Sequence, residues 1–261
     1  MQSIRSLYLA KSLKLAKSRS SLLGLMVLFD MLFIIAGAIL FYLSAGFANT
    51  LFLNNDTTAF IVYLALSLFY YILILFIYSF FKYCILNAVK SLFEKSELNF
   101  KNLGNFFMLN IILGGIFFSG IFVLNLILYI SKISYKPYML FIVGIPMIVF
   151  SYIFLGMSHS FFYLGNGIGK SLSRSLKITF GNLKIYKETI LLMFISTLLL
   201  LVLFGIAGYI LRVSTTGNYF NYLTAYAYFK EITSILAILL AYFFILENRI
   251  VFYMFARENF N

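Results

Sequence analysis

Residues 90–103, KSLFEKSELNFKNL, match residues 170–183, KSLSRSLKITFGNL, at six of fourteen aligned positions. These two stretches begin 80 residues apart, and the same opening word occurs 79 residues before the first of them, at Lys11-Ser12-Leu13. Each copy is followed by a long apolar stretch. Similarity at a fixed period is the signature of repeated structural units. The sequence therefore predicts three units, about 1–83, 84–163 and 164–261, each a basic helix followed by two membrane-spanning helices.

The composition indicates the solvent in which these units fold. Of the 261 residues, 63% are hydrophobic and 11% are charged, whereas apolar residues make up about half of a soluble domain. Such a small number of polar residues cannot cover the surface of a soluble protein of this size. Lipid must therefore surround most side chains. The apolar runs show no period-two alternation, which favours helices over the strands of a membrane barrel. We therefore expect an all-α integral membrane protein with a single transmembrane domain, 1–261.

Six apolar runs have the length needed to cross a hydrocarbon core of about 30 Å, which takes about 20 helical residues. The predicted spans are about 21–46, 59–83, 104–130, 138–163, 189–211 and 232–254. The sixth is the least regular, because Glu247 and Arg249 interrupt it near its end. Pro146 lies inside the fourth and is expected to kink it. The prediction is a six-helix transmembrane bundle.

The basic residues indicate how the bundle is oriented. With a cytoplasmic N-terminus, sixteen of the twenty Lys and Arg residues fall in inside segments. The positive-inside rule then predicts a multi-pass protein of the plasma membrane with both termini in the cytoplasm. Because the net charge of +12 is divided among short segments beside the spans, it does not indicate a nucleic-acid partner. The apolar run after residue 21 continues too far for a cleaved signal peptide, so it is expected to remain as the first span.

The connector after the fourth span has the pattern of an amphipathic helix. Ile168, Leu172 and Leu176 fall on one arc of a helical wheel, and the basic residues fall on the opposite arc. Residues 84–103 show a similar pattern, and the N-terminal copy has a poorer apolar arc. Both later connectors are expected to lie in the membrane interface with the apolar side towards the lipid.

Two roles remain open for these connectors. Either they only orient the hairpins that follow them, or they also bind anionic lipid, at about 1 kcal/mol per basic residue near the surface. The candidate lipid contacts are Lys90, Lys170, Arg174, Lys177 and Lys184.

Three polar residues lie inside predicted spans at comparable depths: Asp30, Asn110 and His159. An ionisable residue at such a depth is costly and is a functional-site hypothesis by default. A cluster of the three would suit a proton, a cation or a substrate head group. The alternative is a structural set of hydrogen bonds that fastens three helices together.

The remaining motifs do not indicate an enzyme. Residues 165–171 approach the phosphate-loop pattern, but the required glycine is replaced by Leu164, and the segment follows a membrane helix instead of a strand. One His and one Cys exclude a conventional zinc site and an intramolecular disulfide. No metal or cofactor is expected. Residues 212–231 are predicted to form the longest outside loop, whose aromatic side chains form either an interfacial belt or a lid.

Residues 169–182, GKSLSRSLKITFGN, resemble a group of prokaryotic six-span membrane proteins. That group includes the membrane domain attached to some glycerophosphodiester phosphodiesterases, and in it a basic helix of this kind precedes a hairpin. The resemblance implies a six-span layout over the whole chain. The catalytic phosphodiesterase barrel of those proteins has no counterpart here, so their activity does not carry over.

The function expected from these observations is a non-enzymatic membrane module that binds lipid or partner proteins, with homo- and hetero-oligomers both left open. The alternative is a transporter or channel-like protein with a polar site in the cytoplasmic half of the membrane.

Overall fold

A computed structural model of the protein describes residues 8–52, 57–130, 140–181, 187–215 and 219–260. Eight α-helices lie in these ranges: α1 Tyr8–Ser18, α2 Ser20–Phe52, α3 Thr57–Ser91, α4 Leu103–Ile130, α5 Ile145–Tyr163, α6 Ile168–Gly181, α7 Lys187–Ser214 and α8 Tyr219–Glu258. A 3-10 turn, Phe100–Asn102, precedes α4, and a π-helical turn, Leu140–Gly144, precedes α5. No strand occurs among the described residues, so the all-α prediction is confirmed.

Six helical segments, two of which include part or all of the short turn before the helix, are long and apolar enough to cross a membrane. These segments are Ser20–Gly46, Ile61–Ser91, Phe100–Tyr129, Ile142–Tyr163, Met193–Ser214 and Phe220–Glu258. Many of their large apolar side chains are exposed, including Phe41 at 69% and Leu201 at 66%. Such a surface is stable only against lipid, so the chain is a multi-pass membrane protein with six candidate spans. The three-unit repeat remains a prediction.

The connector between the second and third spans differs from the expectation. Helix α3 continues without a break through Lys90 to Ser91, and residues 95–99 that follow it form no helix. No separate interfacial helix therefore exists there. The reason lies in burial: Leu86, Val89 and Leu92 are each at most 2% exposed. The apolar arc of this segment packs against protein instead of lipid, which favours continuing the helix.

The last span is longer than predicted, and the prediction of a long outside loop before it is wrong. Helix α8 has 40 residues and begins at Tyr219, so most of the predicted loop 212–231 is helical. Tyr222, Tyr226 and Phe229 recur at helical spacing and contact one another, with ring centroids 5.8 and 6.4 Å apart. Glu247 does not end the helix, because its side chain is buried in protein and hydrogen-bonded there.

Pro146 does not produce a kink in the middle of a helix. The π-helical turn ends at Gly144 and α5 begins at Ile145, which places Pro146 in the first turn of α5. Proline is tolerated at that position, because the first N–H groups of a helix have no partner within it.

The chain divides into two compact units. Unit 1 consists of Met1–Lys14 and Phe180–Val251, and unit 2 consists of Leu15–Thr179 and Phe252–Asn261. In unit 2, α2 packs on α3, and both α3 and α4 pack on α5. The core of unit 2 contains mostly large side chains from these helices: Tyr83, Leu86, Phe106, Leu109, Leu113, Phe154 and Phe162.

The end of α8 belongs to unit 2 and is enclosed there on all sides. Five successive residues, Phe252 to Ala256, are each at most 6% exposed. Tyr253 stacks on Phe93 with ring centroids 5.5 Å apart. Arg257 lies over the same Phe93 ring and approaches Glu94 at 4.0 Å. A lipid-facing helix would expose one side, so this segment is a core element of unit 2.

Unit 1 has a buried polar contact between residues at opposite ends of the sequence. Ser12 on α1 donates a hydrogen bond of 2.6 Å from Oγ to Oε2 of Glu247 on α8, and both side chains are at most 3% exposed. Beside Glu247, Nδ2 of Asn248 lies 3.8 Å from the sulfur of Met193 on α7. The serine of the first Lys-Ser-Leu word thus stabilises the one carboxyl group that interrupts the sixth span.

Candidate functional site

Helices α3, α4 and α5 bring three buried polar side chains together inside unit 2. Nε2 of His159 lies 2.6 Å from Oδ1 of Asn110, and Nδ2 of Asn110 donates to Oγ of Ser79 at 2.9 Å. His159 and Ser79 are fully buried, and Asn110 is 2% exposed. The predicted proximity of Asn110 and His159 is present, and Ser79 joins them. We call these three residues the polar chain.

The hydrogen bonds of the polar chain all run in one direction, which the backbone carbonyl of Leu75 determines. Ser79 donates its proton to the carbonyl oxygen of Leu75 at 2.6 Å, so its oxygen is free to accept from the amide nitrogen of Asn110. The amide oxygen of Asn110 therefore faces His159. Because an amide oxygen only accepts, Nε2 of His159 must carry the proton in this contact. The second nitrogen, Nδ1, is buried and has no partner among the described residues.

Aromatic rings flank the imidazole of His159. The ring centroid of Phe106 lies 5.0 Å from that of His159, and the ring centroid of Tyr78 lies 6.2 Å away. Packing on these rings fixes the plane of the imidazole, so its polar edge points in a defined direction. The chain and its aromatic neighbours join α3, α4 and α5 within candidate spans.

Asp30 lies on the helix that packs against this region. Its side chain is 8% exposed on α2. Phe33, almost one helical turn further on, contacts Tyr78 edge to face with ring centroids 5.8 Å apart, and Tyr78 in turn lies beside His159. Asp30 makes contacts of its own. It is a buried residue of the helix that packs on α3, and its role stays a hypothesis.

Two of the five candidate lipid contacts are engaged with protein. Lys90 lies 3.4 Å from Glu94 and 6.0 Å from the ring centroid of Tyr163. Arg174 donates to the carbonyl oxygen of Phe260 and lies 5.8 Å from the centroid of its ring. These contacts hold connector segments in place.

The remaining candidate lipid contacts are Lys170, Lys177 and Lys184. Lys170 and Lys177 on α6 are exposed, with no ion pair in the part of the chain that the structure describes. Lys184 lies outside the described residues. The exposed basic surface of α6 is therefore centred on Lys170 and Lys177.

The burial of its side chains shows which side of α6 packs against protein. Ser171, Ser175 and Thr179, spaced four residues apart, are at most 1% exposed. Each hydroxyl donates to the carbonyl oxygen four residues earlier, at 2.6–3.0 Å. Small residues at this spacing allow close helix packing. The prediction that the apolar arc of this helix faces lipid is wrong for Ile168 and Leu172, which pack against the core of unit 2. Together with the small hydroxyl residues, they form the protein-facing side of α6.

Leu176 is 46% exposed on the outer surface of α6, next to Lys177. Consecutive residues point about 100° apart on a helix, so Leu176 lies at one edge of the exposed surface of α6 and the two lysines project from another part of it. We call Lys170, Leu176 and Lys177 the outer face of α6.

Sequence reasoning missed two of these polar contacts. Ser79 resembles any other serine in a span, and only the fold places it beside Asn110. The sequence indicates Glu247 only as an interruption of the sixth span, although a carboxyl group in a span is itself a signal for a buried partner. That partner, Ser12, lies in the repeated Lys-Ser-Leu word.

No family model, curated protein or solved structure matches this chain. The resemblance to the phosphodiesterase-linked membrane domains remains a prediction.

Proposed function

We propose that this protein is a non-enzymatic, multi-pass membrane module that binds anionic lipid at one membrane interface through the outer face of α6. The observation that supports this proposal is the joint exposure of Lys170, Leu176 and Lys177 on a helix whose small residues pack on protein. Such a helix can insert its apolar side chain among acyl chains while its lysines reach the lipid phosphates.

The spacing of the two lysines suits this role. Lys170 and Lys177 are seven residues apart, which is close to two helical turns and about 10 Å of rise. They therefore project from nearly the same side of α6, and one lipid surface can contact both. Each basic residue near an anionic surface contributes about 1 kcal/mol. Leu176 adds burial of its exposed part among the acyl chains.

We also propose how the protein is oriented and in which membrane it lies. The excess of basic residues on the side that holds α6 favours a cytoplasmic location for both termini, in a plasma membrane whose inner leaflet is anionic. The proposal also includes three related units, for which the support is similar burial at aligned positions of α1 and α6, although the second copy of the repeat forms no separate helix. The aligned positions Ser12 and Ser171 are both fully buried, and Ala16 and Ser175 are both at most 7% exposed. Partner proteins, including further copies of this chain, are part of the same proposal.

Replacing Lys170 and Lys177 together by glutamine is expected to weaken binding of anionic lipid by about 2 kcal/mol, or about 30-fold. The measurement is retention of phosphatidylglycerol over phosphatidylcholine by the purified protein in native mass spectrometry. The matched control is Lys95→Gln with Lys101→Gln, which removes the same charge from exposed residues outside α6. Equal retention by the α6 variant and the wild type would contradict the proposed function.

One observation favours a second candidate function, a transporter or channel-like protein that uses Asp30, Asn110 and His159. The polar chain crosses three helices inside candidate spans, where buried hydrogen-bonding groups often mark a substrate or ion path. The same chain equally suits a structural fastening of α3, α4 and α5, and the main proposal adopts that role.

Replacing Asp30 by asparagine distinguishes these two roles. If Asp30 is structural, asparagine keeps its shape and an accepting oxygen, and we expect an unchanged melting temperature in detergent and unchanged growth of cells that depend on the protein. Leucine at position 30 is the contrasting variant and should lower stability by about 0.6–2 kcal/mol per lost interhelical bond. Normal folding of Asp30→Asn with loss of growth would instead favour transport.

A further inference from the structure

We propose that Nδ1 of His159 is a binding site for an O–H group that enters the core of unit 2, supplied by water or by a lipid hydroxyl. This site is separate from the outer face of α6 and extends beyond the proposed lipid binding. Its ligand is defined by chemistry: a small, neutral hydrogen-bond donor.

The direction of the polar chain determines which nitrogen of His159 can accept a hydrogen bond. The Leu75 carbonyl accepts the proton of Ser79, so the Ser79 oxygen accepts from the amide nitrogen of Asn110. The amide oxygen of Asn110 therefore faces His159, and Nε2 of His159 must be the donor. A neutral ring then presents a lone pair at Nδ1. A fully buried imidazole is much cheaper to hold neutral than charged, so Nδ1 is an acceptor.

This acceptor is buried without a partner among the described residues. A buried polar atom that lacks its hydrogen bond costs about 1–3 kcal/mol. Oγ of Ser158, one residue earlier on α5, is also buried and unpartnered, and both residues are fully shielded from solvent. The unpartnered acceptor at Nδ1 favours a hydrogen-bond donor as its ligand, and the hydroxyl of Ser158, about 100° away around α5, is a separate unpartnered group.

His159 lies four residues before Tyr163, where the candidate span of α5 ends, and four residues of helix rise about 6 Å. Along α5, the water and lipid head groups at this end of the candidate span are therefore the nearest source of O–H groups. Metal binding is not part of the proposal, since a single imidazole is an incomplete ligand set.

The test uses the fact that the chain has one histidine. Protein labelled with ¹⁵N at histidine, in phosphatidylcholine nanodiscs, gives signals from His159 alone. We expect Nε2 to carry the proton and Nδ1 to show the chemical shift of an unprotonated nitrogen that accepts a hydrogen bond. Magnetisation transfer from water to the imidazole would identify water as the donor.

A second arm separates the two sources of the O–H group. If the accepting shift of Nδ1 appears only in nanodiscs with phosphatidylglycerol, whose head group carries hydroxyls, a lipid hydroxyl is the donor. Lys170→Gln with Lys177→Gln should leave these signals unchanged, so failure of this site and failure of the proposed function can be told apart.

Three outcomes would overturn the proposal: an Nδ1 signal typical of a nitrogen without a hydrogen bond in both lipids, a proton on Nδ1, or an accepting shift with transfer from neither water nor lipid. Asn110→Leu is the control for the assignment. It removes the acceptor of Nε2, and we expect a change in the tautomer preference of His159. The wild-type spectrum decides the proposal even if this variant does not fold.

Discussion

Replacing Tyr253 by alanine should destabilise the folded protein by about 3–5 kcal/mol, the range for removing a fully buried aromatic side chain. Tyr253 is 1% exposed at the enclosed end of α8 and stacks on Phe93. Removal of its ring leaves a cavity in unit 2, because residues before and after it are also buried and cannot readily move to fill the space. The loss is a large part of the 5–15 kcal/mol that typically stabilises a domain.

The measurement is the melting temperature of the purified protein in detergent, supported by the fraction that elutes as a single species. Tyr228→Ala is the matched control on the same helix, since Tyr228 is 64% exposed. Its ring faces the surrounding lipid or detergent, which fills the space after truncation, so we expect little change. If Tyr253→Ala melted with the wild type, the description of residues 252–256 as a core element would be wrong.

The enclosed end of α8 also illustrates which features the sequence could not predict. Residues 252–256 are apolar, and by composition they resemble the lipid-facing part of the same helix. Burial on all sides depends on which helices surround the segment, and hydropathy contains no information about that. The same limit explains the missed extension of α3, whose apolar arc fitted lipid and protein equally well.

The features predicted correctly depend on local physics. The six candidate spans follow from the length of the apolar runs, because a bilayer core requires helices that pair their own backbone groups. The helix at Ile168–Gly181 follows from its periodic pattern. In the candidate site, the depth of Asn110 and His159 indicated that they could meet, while the serine that completes the polar chain required the fold. Lys90 and Arg174 looked equivalent to Lys170 and Lys177 in sequence, and their contacts with Tyr163 and Phe260 depend on distant parts of the chain.

Replacing Gly156 by alanine is expected to destabilise the protein by about 1–3 kcal/mol, the usual cost of overpacking a core. Gly156 lies on α5 against the ring of Phe252, and a Cβ atom there would overlap the edge of the ring, with Cε2 only 2.6 Å away. Phe252 is itself 5% exposed and contacts Tyr152 at a ring-centroid distance of 5.6 Å. The ring therefore cannot retreat without disturbing its other neighbours.

Gly115→Ala is the matched control, because Gly115 also lies within a spanning helix but has no atom within 4 Å of the position of a Cβ. Alanine favours helix over glycine by about 1 kcal/mol, so this variant should melt at or slightly above the wild-type temperature. The double variant Gly156→Ala with Phe252→Leu tests the cause. If overlap with the ring is responsible, the two changes are coupled, and together they should cost less than the sum of the single variants. Strict additivity in thermal melts would show that the methyl group at position 156 and the ring at position 252 do not meet.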